Sequence, residues 1–427
     1  MILPLVLVLS GGTLAASVLG PIQSATGSQR SSKSSAVTQE GSSGPRRGAD
    51  AQDAQQGGEP KPKAKRPPGV YYGFKEAPTK QKGAVRLAAY NVENLFDGVD
   101  DPKLSGEVDD LKERTSEDRL QALAKAIKAL DADILALEEV ESEECLRWFR
   151  DTYLKDLGYE HLASKDVGYS RGVEQSILSR FPLEAVEVRP DEDLSDVKRD
   201  GKGFAEKPTK PGAEQGQRFQ RSPLIADVRV TPDYLLRVIV VHHKAGGLEF
   251  AYQREAEALQ VMEWVQQAQV KDEHINLVVL GDFNAQPSHK TAKIYSDGGL
   301  VGAYDFRDRS RKDMKDAYTT HASGRPIDYI MASPGLSEDF VNSSFFVLGT
   351  MHAGDDYDWR KGEEPPKGYA SDHYPIAIDF TPDDAELTNA GQAKPAAKGP
   401  PKSSASSSKG SSKGSSKSSS KPDADAD

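Results

Sequence analysis

The chain is predicted to fold as an α/β sandwich in which two sheets pack face to face with helices on the outside. Three observations carry this expectation. Short runs of β-branched and aliphatic residues recur through the middle of the 427-residue sequence, at 85–90, 134–137, 176–178, 224–230, 235–241, 276–280, 327–331 and 374–380. Several of these runs are apolar without interruption, as expected of strands buried on both faces. Amphipathic helical stretches are interspersed with the strands, so the two element types mix along the chain. One helix is expected over about 116–130, where Leu120, Leu123, Ile127 and Leu130 share a face and Ser116 stands at the N-cap. The second is expected over about 250–269, with Ala258, Val261, Met262 and Val265 turned inward. The compact region is assigned to residues 69–382.

The flanks differ in composition. Residues 22–68 are Ser, Gly, Gln, Pro and Lys with almost no large apolar side chains. Such a segment cannot bury enough surface to offset its conformational entropy and is expected to be a disordered linker. The same reasoning makes 383–427 a disordered Lys/Ser/Gly-rich tail. Residues 1–21 open with Met1-Ile-Leu-Pro-Leu-Val-Leu-Val-Leu9 and continue into small residues, Gly11 to Ser17. This has the form of a signal peptide without its basic n-region, or of an N-terminal anchor, although Gly11, Gly12 and Pro21 make a poor spanning helix. The protein is therefore expected to be secreted or held in the cell envelope.

Charge narrows the function. The formal net charge is −11, and because both flanks are net basic the body between them is more acidic than the whole. An acidic body argues against tight, metal-free binding of phosphate backbones but is compatible with carboxylates gathered around a cation. The single cysteine, Cys145, excludes an intrachain disulfide and a cysteine zinc site, and is read as a small buried apolar residue.

The chemistry is concentrated at strand ends. Asn91-Val-Glu-Asn-Leu-Phe96 follows the first run, Glu138-Glu-Val-Glu141 the second, His242-His-Lys244 the fifth and Gly281-Asp-Phe-Asn284 the sixth. Asp328 stands inside an apolar run, and Ser371-Asp-His373 immediately precedes the last. Taken singly, Asp282 and Asn284 read as an Asx turn, Glu139 as a solvated acid and His373 as a structural histidine. Acids beside apolar runs are costly to bury unless paired or bound to metal, and the pattern recurs in six segments. Oxygen-rich donors suit Mg2+, with Mn2+ or Ca2+ as alternatives, rather than zinc. Imidazoles beside such a cation supply acid/base capacity near neutral pH. Together these groups suit phosphoryl transfer.

In order and spacing these segments resemble the endonuclease/exonuclease/phosphatase superfamily across about 84–380. Asn91-Val-Glu-Asn94 is similar to its first motif. Ala136-Leu-Glu-Glu-Val140 is similar to the second, although the family commonly has Gln at the place of Glu138, a departure expected to add charge to the site. Gly281-Asp-Phe-Asn284, Ile327-Asp-Tyr329 and Ser371-Asp-His-Tyr-Pro375 are similar to the others.

The resemblance implies a four-layer αββα sandwich of two packed mixed sheets, deoxyribonuclease I-like. It implies that Glu139 is the principal metal ligand, helped by Asn91 and Asp372. It further implies that Asp282 positions the nucleophile or a second metal, and that Asn284 holds a phosphate oxygen. His373 is then the acid/base histidine, oriented by Asp328, and His242 is the second catalytic histidine. Strand alternation sends only one of two adjacent residues toward a site, and His242 is expected there rather than His243. Arg171 and Arg221 are similar to phosphate-contacting positions, a role that suits the guanidinium fork; for Arg171 a surface salt bridge is an equal reading. Glu93, Asn94 and Asp97 are read as local structure around the first motif, and Glu141 as a support near the site.

Loops bear on the substrate. The segment 189–218 is polar and offers no apolar hairpin for docking on a membrane. Arg307-Asp-Arg-Ser-Arg-Lys312, with Tyr304 and Phe306 nearby, is read either as a nucleic-acid contact or as a solvated charged loop. The loop 352–367, with Tyr357 and Trp359, is expected to border the cleft. The opening Asn91-Val-Glu-Asn-Leu-Phe-Asp97 resembles exported bacterial nucleases. The expectation is an extracellular or envelope endonuclease acting on nucleic acid, DNA or RNA. The alternative is a phosphatase or phosphodiesterase acting on lipid headgroups, inositol phosphates or another small phosphoester. No obligate protein partner is evident, and a monomer is expected.

Overall fold

Leu87 and Ala89 face one buried cluster and Ala88 and Tyr90 another, and this two-residue alternation, repeated in strand after strand, makes the layers. The computed structural model describes residues 65–383 except 100–103, 105–113, 200–201, 204–217, 311–315 and 359–360. The signal-like segment 1–21, most of the linker, nearly all of the C-terminal tail and Trp359 lie outside the described residues.

The strands are β1 (Val85–Leu95), β2 (Ile134–Val140), β3 (His161–Ser164), β4 (Glu174–Ser179), β5 (Leu183–Val188), β6 (Lys198–Arg199), β7 (Lys202–Gly203), β8 (Leu224–Thr231), β9 (Tyr234–His242), β10 (Leu277–Asp282), β11 (Val301–Gly302), β12 (Asp328–Ala332), β13 (Phe346–Val347) and β14 (Ile376–Phe380). The helices are α1 (Glu117–Leu130), α2 (Glu143–Tyr153), α3 (Ala251–Lys271), α4 (Lys290–Asp297) and α5 (Pro334–Glu338). One sheet runs β13-β14-β1-β2-β4-β3 and the other β11-β12-β10-β9-β8-β5, with β6-β7 a separate ribbon. Both large sheets are mixed: β1 is parallel to β2 and β9 to β10, and the other pairings are antiparallel.

Between the sheets lie Leu87, Ile134, Ala136, Ile177, Val238, Val240, Leu280 and Ile376. Outside the first sheet, Leu135 and Leu137 pack against Leu120, Leu123 and Ile127 of α1 and Leu146 of α2. Outside the second, Ile239, Val241 and Val279 meet Ala258, Val261, Met262 and Val265 of α3. The result is the four-layer αββα sandwich of two packed mixed sheets.

The two expected helices form over nearly the expected spans. Ser116 is at the N-cap of α1, but its hydroxyl makes no capping bond. α2, α4 and α5 are additional. α2 buries only Cys145, Leu146 and Phe149, too few to announce a helix by periodicity, and starts where Ser142 Oγ accepts the Cys145 N–H. The unexpected strands β3, β5, β6, β7, β11 and β13 are short or half-exposed. Residues 65–68, assigned above to the linker, already belong to the packed domain: Arg66 Nη2 is 2.9 Å from Asp355 Oδ1. Among the described residues no helix is long and apolar enough to cross a membrane.

The topology determines where the site forms. The parallel pairs β1-β2 and β9-β10 end at the same rim, and the antiparallel neighbours β14 and β12 begin there. Asn91 pairs with Glu138, and Asp282 pairs with His242 on one side and Asp328 on the other. All six polar segments therefore meet at one end of the sandwich.

Candidate active site

Asp282, at the end of β10, is the hub. Its Oδ2 is 3.3 Å from His242 Nε2, 3.0 Å from Asn284 Nδ2, 3.4 Å from Asn91 Nδ2 and 3.7 Å from His373 Nε2. Its Oδ1 accepts the Asn284 backbone N–H at 2.7 Å, closing the Asx turn that the Asp-Phe-Asn spacing suggests. Burial alone would raise this carboxyl, but His373 and His242 outweigh it and hold the group well below the usual carboxylate range.

His373 is oriented from behind. Its Nδ1 lies 3.0 and 3.1 Å from the two oxygens of Asp328, which leaves Nε2 toward Asp282 and Asp372. Burial would lower this imidazole, but Asp328 and Asp282 overcome it and raise the group well above its ordinary value. Both side chains are almost fully buried.

β9 ends in two histidines on opposite faces. His242 is buried at the rim between Asp282 and Glu139, its Nε2 being 3.9 Å from Glu139 Oε1. His243 faces the outer layer, with Nε2 2.7 Å from the Tyr295 hydroxyl and its ring against Phe283. Burial first, then the nearby Arg221 charge, lowers the His242 imidazole.

β2 ends in a bulge. Its register against both β1 and β4 shifts between Glu138 and Val140, and Glu139 adopts a φ of 68°. The extra residue separates two adjacent acids. Glu139 turns to the rim, where Arg171 Nη2 lies 3.1 Å from Oε2 and Nη1 3.4 Å from Oε1. Glu138 keeps the inward alternation of Ala136 and is fully buried, with neither carboxyl oxygen hydrogen-bonded. Burial, reinforced by Asp328 and Asp282, raises it well above its ordinary value. The expected added charge is therefore opposed by the surroundings, which favour the protonated form of Glu138, close in shape to glutamine. Gly281 makes room for it. A Cβ there would lie 2.6 Å from Glu138 Oε1 and 2.2 Å from the Val241 carbonyl oxygen, and φ is 124°.

The expected phosphate contacts are placed differently from one another. Asn284 lies beside Asp282, its Nδ2 also donating to the His243 carbonyl at 3.1 Å. Arg171 spans Glu139 and the Asn94 side chain, so it is a site residue rather than a remote surface pair. Arg221 is buried and does not stand free to meet phosphate as expected. Its Nε and Nη2 hold the carbonyls of His242 and His243 at 3.2 and 2.8 Å, which fixes the end of β9. Asn91 is likewise committed in part, its Oδ1 accepting the Glu93 N–H at 3.0 Å.

Two residues not singled out for the site join it. Glu93 accepts the Tyr369 hydroxyl at 2.5 Å and the Asp372 N–H at 3.1 Å, so it supports the last motif as well as its own. His321 Nε2 lies 3.2 Å from Asp372 Oδ2, and its ring stands edge-on to His373 with centroids 4.7 Å apart. The sequence signal for His321 was its position seven residues ahead of Asp328, in a polar turn with no apolar period to mark it. Ligand-capable atoms of Asp282, Asp328 and His373 lie within 4.8 Å of one another, as do those of His321, Asp372 and His373.

Two packed mixed sheets with helices on both outer faces make a deoxyribonuclease I-like sandwich. The profile of the Endonuclease/Exonuclease/phosphatase family matches residues 88–373, and the chain belongs to that family. Its members are hydrolases of phosphoesters. Among solved structures, the catalytic domain of human Nocturnin with bound sulfate is similar at 19% identity, over 71% of this chain and 96% of that one, with a TM-score of 0.44. A Bacteroides thetaiotaomicron protein of the same family is similar at 18% identity, over 71% and 96%, with a TM-score of 0.44. The 3′ phosphatase NExo from Neisseria, bound to a product DNA hairpin, is similar at 19% identity, over 70% and 99%, with a TM-score of 0.42. No curated protein matches the sequence.

Proposed function

We propose that this protein is an exported, divalent-metal-dependent phosphodiesterase, and that it acts as an endonuclease on DNA or RNA. The observation that carries the reading is the convergence on Asp282 of side chains from β1, β9, the turn after β10 and the segment before β14. Buried acids and histidines gathered in this way cluster at functional sites.

The donor set suits a hard divalent cation, Mg2+ before Mn2+ or Ca2+. Glu139 and Asp372 offer carboxylate oxygens, and Asn91 a second lone pair on its amide oxygen. When bound, such an ion neutralises phosphate charge. Asp282, kept ionised by its two imidazoles, orients the attacking water. His373, backed by Asp328, holds a proton at the site, and Asn284 Nδ2 and Arg171 offer donors to phosphate oxygens. The apolar segment at 1–21 supports export, which fractionation of a tagged full-length chain would check.

A second reading, hydrolysis of a small phosphoester such as an inositol phosphate or a lipid headgroup, is favoured by the net charge of −11 and by the commitment of Arg221 to backbone carbonyls. The lipid branch has less support, because the exposed large apolar side chains among the described residues, such as Val70, Leu248 and Val270, are spread along the sequence with no contiguous apolar hairpin among them.

An EDTA-controlled panel of plasmid, single-stranded DNA, RNA, sphingomyelin and inositol phosphates separates the readings. The nuclease nicks plasmid in Mg2+ or Mn2+, loses this in EDTA and weakens steeply with salt. Release from a small phosphoester without nicking selects the second reading. Hydrolysis that persists undiminished in EDTA overturns the metal assignment.

A further inference from the structure

We propose that the turn His321-Ala-Ser-Gly-Arg325 is a positioning device that orients the Asp372 carboxylate, and with it the cation-binding face of the site, through the Nε2–H of His321. The inference rests on the proposed role of Asp372 as a metal ligand.

The turn is built by its own sequence and pinned to the site. His321 pairs with Arg325 across it, and the Gly324 N–H bonds the His321 carbonyl at 2.9 Å. Gly324 has a φ of 80°, a conformation that favours glycine. On the other side His321 pairs with His373, and the Ala322 N–H donates to the Asp372 carbonyl at 2.7 Å. The imidazole is therefore delivered to Asp372 by backbone contacts on both flanks.

Hydrogen bonding decides which ring nitrogen carries the proton. The Ser323 backbone N–H lies 2.9 Å from His321 Nδ1, and a backbone N–H can only donate. Ser323 Oγ is 2.7 Å from the same nitrogen and accepts Arg325 Nε–H at 2.7 Å, which leaves its own proton free to point at the ring. Two donors converge on Nδ1, so Nδ1 presents its lone pair and the proton sits on Nε2. That N–H faces Asp372 Oδ2 at 3.2 Å.

The ligand atoms of His321, Asp372 and His373 are close enough together to suggest a second cation site. A ring nitrogen that carries a proton cannot ligate, and the only lone pair of His321 is turned away toward Ser323. His321 is thus a hydrogen-bond donor to a ligand, the arrangement that commonly sets a carboxylate's orientation around a metal. The Asp372 side chain is 37% exposed, and the His321 imidazole is the group that holds its Oδ2. With Oδ2 held, Oδ1 is turned to within 3.8 Å of His373 Nε2.

The test titrates Mn2+ calorimetrically into the metal-stripped full-length protein without substrate, beside kinetics at saturating metal. His321→Leu should weaken Mn2+ binding about 10-fold or more, with kcat largely restored at saturating Mn2+. His321→Gln, whose amide reaches the place of Nε2, should restore wild-type affinity. Ser323→Ala, which leaves the backbone donor, should fall between. If His321→Leu does not fold, as judged by circular dichroism and melting, His321→Asn replaces it, since its shorter amide cannot reach Asp372. Unchanged Mn2+ affinity in the donor-less variant, or a glutamine variant as weak as the leucine or asparagine one, overturns the positioning role. Asp372→Ala separates the two levels: if it too binds Mn2+ like wild type, the metal-site reading itself falls.

Discussion

His373 places its Nδ1 3.0 and 3.1 Å from the two carboxylate oxygens of Asp328, and this contact fixes which ring nitrogen faces Asp282. Asp328 is itself held by β12 directly opposite Asp282 on β10, so the sheet register and the orientation of the imidazole are one arrangement.

Removing the charge of Asp328 while keeping its shape should therefore mis-set the imidazole. Asp328→Asn is expected to lower kcat between about 100- and 10,000-fold with KM nearly unchanged. Steady-state kinetics with a matched melting curve checks this, and a loss confined to KM would contradict it.

Glu139→Ala and Asp282→Ala should each cost on the order of 100-fold in turnover or more, if these groups act in the transition state. Both side chains are buried at the rim rather than in the apolar core, so cooperative melting should persist. Near-normal rates in both variants would remove the site from contention.

Glu138 offers the opposite expectation. Its carboxyl is fully buried without a hydrogen-bond partner and is pushed up by burial, so its amide should replace it, and Glu138→Gln should keep activity and melting temperature close to wild type. A loss as large as that of Glu139→Ala would show that Glu138 works as a carboxylate after all.

Gly281→Ala should destabilise the fold by on the order of 3 kcal/mol, because the added methyl meets the Val241 carbonyl oxygen at 2.2 Å in a backbone conformation unsuited to side chains. Urea denaturation measures the change, and a variant as stable as wild type would mean the bulge at Glu139 yields freely.

Glu174, at the start of β4, predicts a pH effect away from the metal ligands. Burial is the main cause that raises its carboxyl from 4.5 to about 8. Between those two values the unfolded chain has released this proton while the folded chain keeps it. Stability is then full below about 4.5 and declines as pH rises toward 8, by at most about 1.4 kcal/mol per pH unit. Glu174→Gln should flatten that part of the slope in urea titrations run in EDTA, and an unchanged slope would assign it elsewhere.

Much of this architecture was legible in local pattern. Each expected strand falls on an observed one, because a buried strand must present consecutive apolar side chains and a two-residue alternation leaves no second register. α1 and α3 were equally plain, since each lays a long apolar stripe on a sheet. α2 and the edge strands were not, because they bury few side chains and periodicity has little to act on.

What the sequence alone determined was the set of elements and the fact that polar residues stand at the ends of six of them, for burying an apolar strand ends wherever a charge must be accommodated. Only the tertiary structure decided that these ends share a rim, because contacts such as Asn91 to Asp282, 191 residues apart, depend on the order of strands in two sheets. It alone set the bulge that sends Glu139 outward and leaves Glu138 buried, committed Arg221 to the carbonyls of β9 and brought His321 against Asp372. Side-chain surroundings of this kind come from neighbours remote in the chain, about which no local period carries information.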